Sequence, residues 1–213
     1  MRLYLSSFKI GNHPEKLVEL TGTDPKKAVL ILNALDYKPE SRTKFLNSET
    51  EMLKDLGFDV EELDLRDYFG KQNELEEFLK NKGLVWINGG NTFLLRRAMK
   101  LSGFDIVIIK LLKEDAIVYA GFSAACCVLH KNLHGIELAD DPNTLSEGYN
   151  SEIIWEGLGL VNFAVVVHYN SDHSESEITN QEVEYYINNN IPFKTLKDGE
   201  ALIVNGDKLE ILK

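Results

Sequence analysis

The amino-acid sequence predicts an α/β fold, a three-layer α/β/α sandwich around a mainly parallel sheet that ends in a C-terminal β-hairpin. Short apolar runs alternate with longer amphipathic segments along the chain, which is typical of repeated βαβ units. The runs AVLIL, LVWI and FAVVV contain no polar residue, as expected for strands buried on both faces. With no repeat, low-complexity tract or long linker, the 213 residues are expected to form one domain, residues 1–213.

The first half of the chain alternates predicted strands and helices. The spacing of Phe45, Met52 and Leu53 indicates a helix over residues 41–56, which Gly57 ends. A second helix is predicted over residues 73–80. Predicted strands cover residues 2–6, 28–32, 60–65 and 84–87.

The second half continues this alternation up to the closing hairpin. Helices are predicted over residues 93–101, 105–113 and 176–189, and an apolar helix is expected to begin at Ala124. In the helix over 176–189, Ile178, Val183 and Ile187 are expected to face inward. Residues 130–157 are polar and irregular, and are expected to run over the surface. Predicted strands cover residues 117–120, 163–167, 201–205 and 208–212.

Composition narrows the classes of partner. A formal net charge of -11 repels phosphate backbones, so nucleic acid is not expected as a general partner. The apolar run at the N-terminus is too short for a signal peptide or a membrane span, so no membrane association is expected. Cys126 and Cys127 are adjacent and have no distant third cysteine to pair with, so no disulfide framework is expected. Free cysteines are typical of the reducing cytoplasm, which is therefore the expected location.

A serine follows the predicted strand over residues 117–120. The segment IVYAGFSAACCVL leads from that strand through Gly121-Phe122-Ser123 into an apolar helix. This is the setting of a nucleophile elbow, in which a sharp strand-to-helix turn exposes a serine above the sheet. The helix that follows would offer its N-terminal N–H groups to an oxyanion. The other interpretation is that Ser123 is an ordinary N-cap of that helix.

The glycine-rich turn NGGNT follows the strand LVWI. Glycines allow the backbone to approach a ligand and to direct N–H groups towards it. A donor from this turn and the N–H of Ala124 would complete an oxyanion hole, and Asn91 and Thr92 are candidate substrate-binding residues. Alternatively, the segment is a plain turn in which one of these two side chains caps the next helix.

His168 follows the run FAVVV directly and is a candidate general base. His173 lies five residues further on and is the rival base. Asp198 and Glu200 are both candidates for the carboxylate that would orient the imidazole. A metal site at His168, Asp172 and His173 matches no familiar zinc spacing, so neither a metal nor a cofactor is expected.

Together these segments resemble the peptidase E family (serine peptidase family S51), whose members release N-terminal aspartate from dipeptides. The resemblance rests on GGNTF at residues 89–93, GFSA at 121–124, His168 after an apolar strand and LKDG at 196–199. It covers nearly the whole chain, and the ordered set is far more specific than any one motif. The family's fold is similar to that of class I glutamine amidotransferases, in agreement with the predicted sheet.

The resemblance implies a role for each matched residue. Ser123 would be the nucleophile, His168 the base and Asp198 the acidic member of a triad, while Gly90 and Ala124 would donate to the oxyanion. The implied reaction is hydrolysis of a small peptide through an acyl-enzyme, by a monomer or a homodimer.

The chain departs from the family pattern in two ways. Ala125 stands where the G-x-S-x-G pattern has glycine, and no arginine follows Arg97 to recognise a substrate aspartate. Aspartyl specificity is therefore expected to be weakened or changed.

Three alternatives remain open at this point. The first is a cyanophycinase-related or other acyl hydrolase on the same fold. The second is a cysteine-centred relative of the amidotransferases, although Cys126 and Cys127 are expected to be buried, inert thiols. The third is a catalytically impaired binding protein.

Overall fold

The computed structural model describes residues 1–22 and 27–213. Its strands are β1 (Arg2–Ser6), β2 (Lys27–Ile31), β3 (Asp59–Glu62), β4 (Leu84–Ile87), β5 (Val118–Phe122), β6 (Ala164–Val166), β7 (Phe193–Thr195), β8 (Ala201–Asn205) and β9 (Lys208–Leu212). Seven of them form the central sheet, in the order β3-β2-β4-β5-β1-β8-β9. The first five are mutually parallel, and the hairpin β8–β9 adds to β1 in antiparallel fashion. This confirms the predicted mainly parallel sheet with its C-terminal hairpin.

Helices cover both faces of the sheet. They are α1 (Pro14–Thr21), α2 (Pro39–Asp55), α3 (Gln72–Leu79), α4 (Thr92–Ser102), α5 (Phe104–Lys113), α6 (Ala124–Cys127) and α7 (Ser176–Asn188). On β1, Leu3 and Leu5 pack into the core beneath α3–α6, whereas Tyr4 packs into the core beneath α1 and α2. This alternation of side chains between two apolar layers confirms the three-layer α/β/α prediction.

Two predictions for the second half of the chain were wrong. The run FAVVV forms a buried strand, as predicted, but it does not join the central sheet, because β6 pairs with β7, which was not predicted, in a separate two-stranded parallel sheet. On α7 the side chain of Ile187 is 60% exposed, and the buried residues are instead Thr179, Glu182 and Tyr186. The polar Glu182 faces inward, where it lines a small cavity together with Cys127 of α6. The predicted helix at Ala124 is present as α6 and is one turn long.

Residues 130–157 are irregular, as predicted, but α4 holds them in place. The guanidinium of Arg97 is fully buried and donates hydrogen bonds to the carbonyls of Pro142, Thr144 and Glu152, at 2.6, 3.1 and 2.7 Å. Arg96 donates to the carbonyl of Glu156 at 2.7 Å. Buried charge-assisted bonds of this kind are costly to break, so the segment is anchored to the fold.

Within the described residues, the structure contains no helix with the length and apolar character needed to cross a membrane.

Candidate active site

Ser123 lies on the sharp turn between β5 and α6. Its backbone has φ 53° and ψ -112°, a conformation that a residue with a side chain adopts only under strain. Gly121 makes the turn possible, because a Cβ there would lie 2.2 Å from the carbonyl oxygen of Ile87 and 2.7 Å from Cβ of Ala125. The turn therefore has the strained backbone of a nucleophile elbow, with Ala125 packed against the strand that carries the serine.

The glycine turn after β4 packs directly against this elbow. A Cβ at Gly89 would lie 2.9 Å from Cβ of Ser123, and one at Gly90 would lie 2.5 Å from the carbonyl oxygen of Ala34. In the described chain, neither the backbone N–H of Gly90 nor that of Ala124 donates a hydrogen bond to another backbone group. Both groups are thus available to a bound oxyanion.

The two predicted substrate-binding side chains have different surroundings. The oxygen of the Asn91 amide accepts a hydrogen bond from the N–H of Leu94 and caps α4, while its nitrogen donates to the carbonyl of Asp141. Both polar atoms of the Asn91 side-chain amide are therefore already hydrogen bonded within the protein. Thr92 donates its backbone N–H to Asp140 at 2.8 Å, and its hydroxyl has no partner among the described residues.

His168 lies at the end of the run FAVVV and is hydrogen bonded to Asp198. The distance from His168 Nδ1 to Asp198 Oδ1 is 2.7 Å, and the imidazole is 2% exposed. Burial lowers the pKa of His168 despite this carboxylate, so the ring is neutral over more of the pH range and can accept a proton. Glu200 instead accepts a hydrogen bond from the N–H of Lys197. Of the two candidate carboxylates, Asp198 is the one bonded to the imidazole.

Ser7 joins the base and the carboxylate and was not predicted from the sequence. Its hydroxyl is buried at the end of β1, accepts a hydrogen bond from the N–H of His168 at 2.8 Å and donates to Asp198 Oδ1 at 2.7 Å. The hydroxyl of Ser171 accepts from the N–H of Asp198 at 2.8 Å. No local sequence signal marks Ser7, because its partners are 161 and 191 residues away.

His173, the rival base, stacks on His168. The ring centroids are 3.7 Å apart and the planes differ by 7°, while Phe8 contacts both rings edge-on. His173 Nδ1 accepts the backbone N–H of Glu175 at 3.2 Å. No hydrogen bond links His173 to a carboxylate in the described part of the chain, so His168 has the better geometry for a base.

Ser123 and His168 line the same cavity, which has a volume of about 220 Å³ and which we call the main cavity. Its aromatic wall includes Phe8, Tyr37, Phe45 and Phe122. Among the described residues, the hydroxyl of Ser123 makes no hydrogen bond to the ring of His168. Ser123 and His168 therefore line one cavity but are not hydrogen bonded to each other, while Asp198, which does not line that cavity, is bonded to the imidazole of His168.

Comparison with known proteins places the chain in a family. The family model described as peptidase family S51 matches residues 7–212. The chain belongs to peptidase family S51. It is a peptidase of that family, and the resemblance seen in the sequence is confirmed.

Relatives of this family cover most of the chain. An uncharacterized peptidase of Listeria monocytogenes is 26% identical over 170 residues, which is 80% of this chain and 78% of the relative. A Drosophila melanogaster protein named as a probable alpha-aspartyl dipeptidase is 24% identical and covers 99% of this chain and 85% of its own length.

Solved structures share the fold. A crystal structure from Listeria monocytogenes EGD-e assigned to peptidase E has a TM-score of 0.81 at 24% identity, covering 100% of this chain and 98% of that one. A peptidase from an acI-B1 Actinobacterium has a TM-score of 0.72 at 17% identity, covering 99% and 86%.

Ser123 also lines a second cavity of about 20 Å³, which we call the inner cavity. Burial raises the pKa of Asp140 to about 6 and that of Glu182 to about 8, and the charge of Glu175 contributes to both shifts. At neutral pH Asp140 is therefore mostly ionised and Glu182 mostly protonated. The inner cavity is lined by Thr92, Ser123, Cys127, Ile136, Ala139, Asp140, Val167, Glu175, Thr179 and Glu182.

The two cysteines lie in α6 and are buried, as expected. Burial raises the pKa of both thiols well above the usual range, and Cys126 Sγ lies 3.2 Å from the carbonyl oxygen of Ser6. A thiol held in its neutral form is a poor nucleophile. The cysteine-centred alternative therefore has no support in this geometry.

Among the residues that the structure describes, one group of side chains could hold a metal ion. Ligand atoms of His168, His173 and Asp198 all lie within 4.8 Å of one another. The stacked, nearly parallel imidazoles direct their in-plane lone pairs side by side rather than towards one point. The two rings do not fit the tetrahedral geometry of a zinc site without a rotation of His173.

Proposed function

We propose that this chain is a serine peptidase that hydrolyses a peptide bond of a small peptide through an acyl-enzyme. Ser123 is the nucleophile, His168 the general base and Asp198 the group that orients the base. The observation that carries the proposal is the 2.7 Å bond between His168 and Asp198 in the same cavity as a serine with strained backbone geometry.

The reaction follows from the proton positions. Asp198 accepts the Nδ1 proton of His168, which leaves Nε2 unprotonated and able to take the proton of the Ser123 hydroxyl. The serine oxygen bonds to the scissile carbonyl carbon, and the carbonyl oxygen becomes an oxyanion facing the N–H groups of Gly90 and Ala124. Imidazolium then gives its proton to the leaving amine as the peptide bond breaks, and water hydrolyses the acyl-enzyme by the same route.

Attack requires a hydrogen bond between the hydroxyl of Ser123 and the imidazole of His168, which is not formed in this structure. Hydrogen bonds at catalytic sites are often long in the free enzyme and tighten when substrate binds. The strained backbone of Ser123 supports a catalytic role over an N-cap role, because its side chain accepts no capping bond from α6.

The small cavity supports an exopeptidase or dipeptidase that acts on short peptides. The Drosophila relative is named as a probable alpha-aspartyl dipeptidase, but none of the arginines of this chain lines the main cavity, so we propose a weakened or changed Asp-X preference. The thiols of Cys126 and Cys127 are free and buried, which supports a location in the reducing cytoplasm.

A fluorophosphonate probe tests the nucleophile without any assumption about substrate. We expect stoichiometric labelling of the intact protein at Ser123, with no labelling of Ser123→Ala at an unchanged melting temperature. Ser102→Ala, a buried serine away from both cavities, is the matched control and should label normally. Failure of the wild-type protein to label would refute the serine mechanism and favour a binding protein with an impaired site.

A further inference from the structure

We propose that Glu175 is the substrate-binding residue for an ammonium group next to the scissile bond, so that the enzyme favours peptides with this cation over peptides with an acidic N-terminal side chain. This inference rests on the proposed function, because it assigns a substrate class to the same site. The ammonium can be the α-amino group of the substrate or the side chain of an N-terminal lysine, and a pair of lysine substrates separates the two.

Glu175 lies where the two cavities meet. It lines both of them, and Ser123 does the same. Its Oε2 atom is 3.9 Å from Nε2 of His168, the nitrogen that must face the reacting serine. The α-amino nitrogen of an N-terminal residue is two bonds from the scissile carbonyl carbon, so a carboxylate at this distance from the base is within reach of it.

The carboxylate of Glu175 is available to a ligand. Its side chain is 47% exposed and accepts no hydrogen bond from another described residue. Asp140, behind it in both cavities, adds a second negative charge to the wall. Asp140 accepts the N–H of Thr92, whereas Glu175 accepts no hydrogen bond from the described residues, so Glu175 is the carboxylate that is free to pair with a cation in this space.

An unpaired acceptor in the wall of the main cavity also points to a bound donor. Within residues 1–22 and 27–213, the side-chain oxygen Oδ1 of Asn88 is buried and has no hydrogen-bond partner. Asn88 is 1% exposed and lines the main cavity. Buried polar atoms are normally satisfied, so a ligand N–H is the missing partner of the amide oxygen of Asn88.

None of the five arginines is placed to recognise an acidic side chain. Arg2 bonds Asp115, Arg42 and Arg66 bond Asp64, and Arg96 and Arg97 hold residues 142–156. None of them lines the main cavity, in which Lys38 is the one cationic side chain among the described lining residues. Lys38 is exposed and lies over the ring of Tyr37 at 4.9 Å, where it can meet a carboxylate at the outer end of a short peptide.

The test compares p-nitroanilides of alanine, lysine and aspartate with free amino groups, together with the N-acetyl forms of the first two. We expect kcat/KM for the alanine substrate to exceed that for the aspartate substrate by at least about tenfold, because the aspartate carboxylate would lie near Glu175 and Asp140. If the α-amino group is the bound ammonium, acetylation of the alanine substrate should cost at least about tenfold, the factor expected for one charge-assisted hydrogen bond, and Glu175→Gln should abolish that difference. Glu177→Gln, an exposed glutamate two residues further along and outside both cavities, is the matched control and should keep it.

The lysine pair identifies the source of the ammonium. If the lysine side chain is bound, N-acetyl-lysine anilide keeps its activity in the wild-type protein and loses it in Glu175→Gln. If no anilide is turned over, the same comparison is made from the protection of Ser123 against the fluorophosphonate probe by alanine amide, lysine amide and their acetyl forms. Absence of protection by the free amines would overturn the proposal.

Two outcomes separate this inference from the proposed function. Labelling of Ser123 together with a preference for the aspartate substrate would overturn the inference and leave the serine mechanism standing. The same conclusion would follow if Glu175→Gln changed neither the free-to-acetylated ratio of the alanine pair nor the activity on N-acetyl-lysine anilide. A protein that the probe does not label would overturn the serine mechanism and the inference with it.

Discussion

The two sides of the candidate active site are built differently. The serine side consists of the turns after β4 and β5, where Gly89, Gly90 and Gly121 leave no room for another atom. The histidine side consists of His168 and Asp198, which follow the strands of the small sheet β6–β7. The hydroxyl of Ser7 accepts the N–H of His168 and donates to Asp198, and the hydroxyl of Ser171 accepts the N–H of Asp198.

This difference indicates where this chain can accept substitutions. On the serine side the backbone itself forms the site, so a Cβ added at Gly89, Gly90 or Gly121 would collide with neighbouring atoms. On the histidine side a single side chain such as Glu175 can change without moving the backbone. We therefore expect the chemistry to depend on the serine side and substrate preference to depend on the histidine side.

The largest effect is expected from Gly121→Ala, which tests the close packing of the serine side. The new methyl group would meet the carbonyl oxygen of Ile87 at 2.2 Å, and overpacking of this severity costs about 3 kcal/mol or more. We expect the melting temperature to fall by roughly 6–12 °C and activity to be lost. Gly148→Ala is the matched control, because Gly148 also has positive φ but no atom within 4 Å of the point where its Cβ would lie. Equal stability of the two variants would contradict the packing argument.

A smaller effect is expected from Ser7→Ala, which tests the side-chain bonds of the histidine side. The variant removes one bond to the N–H of His168 and one to Asp198, so the imidazole is less well oriented. We expect kcat to fall by about 10–100-fold with little change in KM, because substrate does not touch Ser7. Ser48→Ala, on the exposed surface of α2, is the control. A change confined to KM would show that Ser7 does not position the base.

The smallest effect is a shift in the acid limb of the pH profile. His168 must be neutral to accept the serine proton, and burial lowers its pKa, so protonation requires a more acidic solution. We expect kcat/KM to be constant at neutral pH and to fall with a midpoint below the ordinary histidine value of about 6.5. A midpoint above about 7 would mean that the carboxylates around the ring outweigh its burial.

Much of the site was predictable because its signals are local. The serine turn and the glycine turn each follow an apolar strand within a few residues, and parallel strands bring their carboxyl ends to one edge of the sheet. The inward position of Ile187 and the place of the strand over residues 163–167 in the central sheet were predicted wrongly, because local periodicity does not reveal which neighbour a helix or strand meets.

The sequence alone determined the fold class, the strained turn at Ser123 and the position of His168 after a strand, since each depends on the order of nearby residues. Tertiary structure decided that Asp198 rather than Glu200 meets the imidazole, that Ser7 joins them, and that Glu175 reaches the serine cavity. The physical reason is the difference between distance in space and separation along the chain. A hydrogen bond acts over about 3 Å in space, whereas Ser7 and Asp198 are 191 residues apart along the chain.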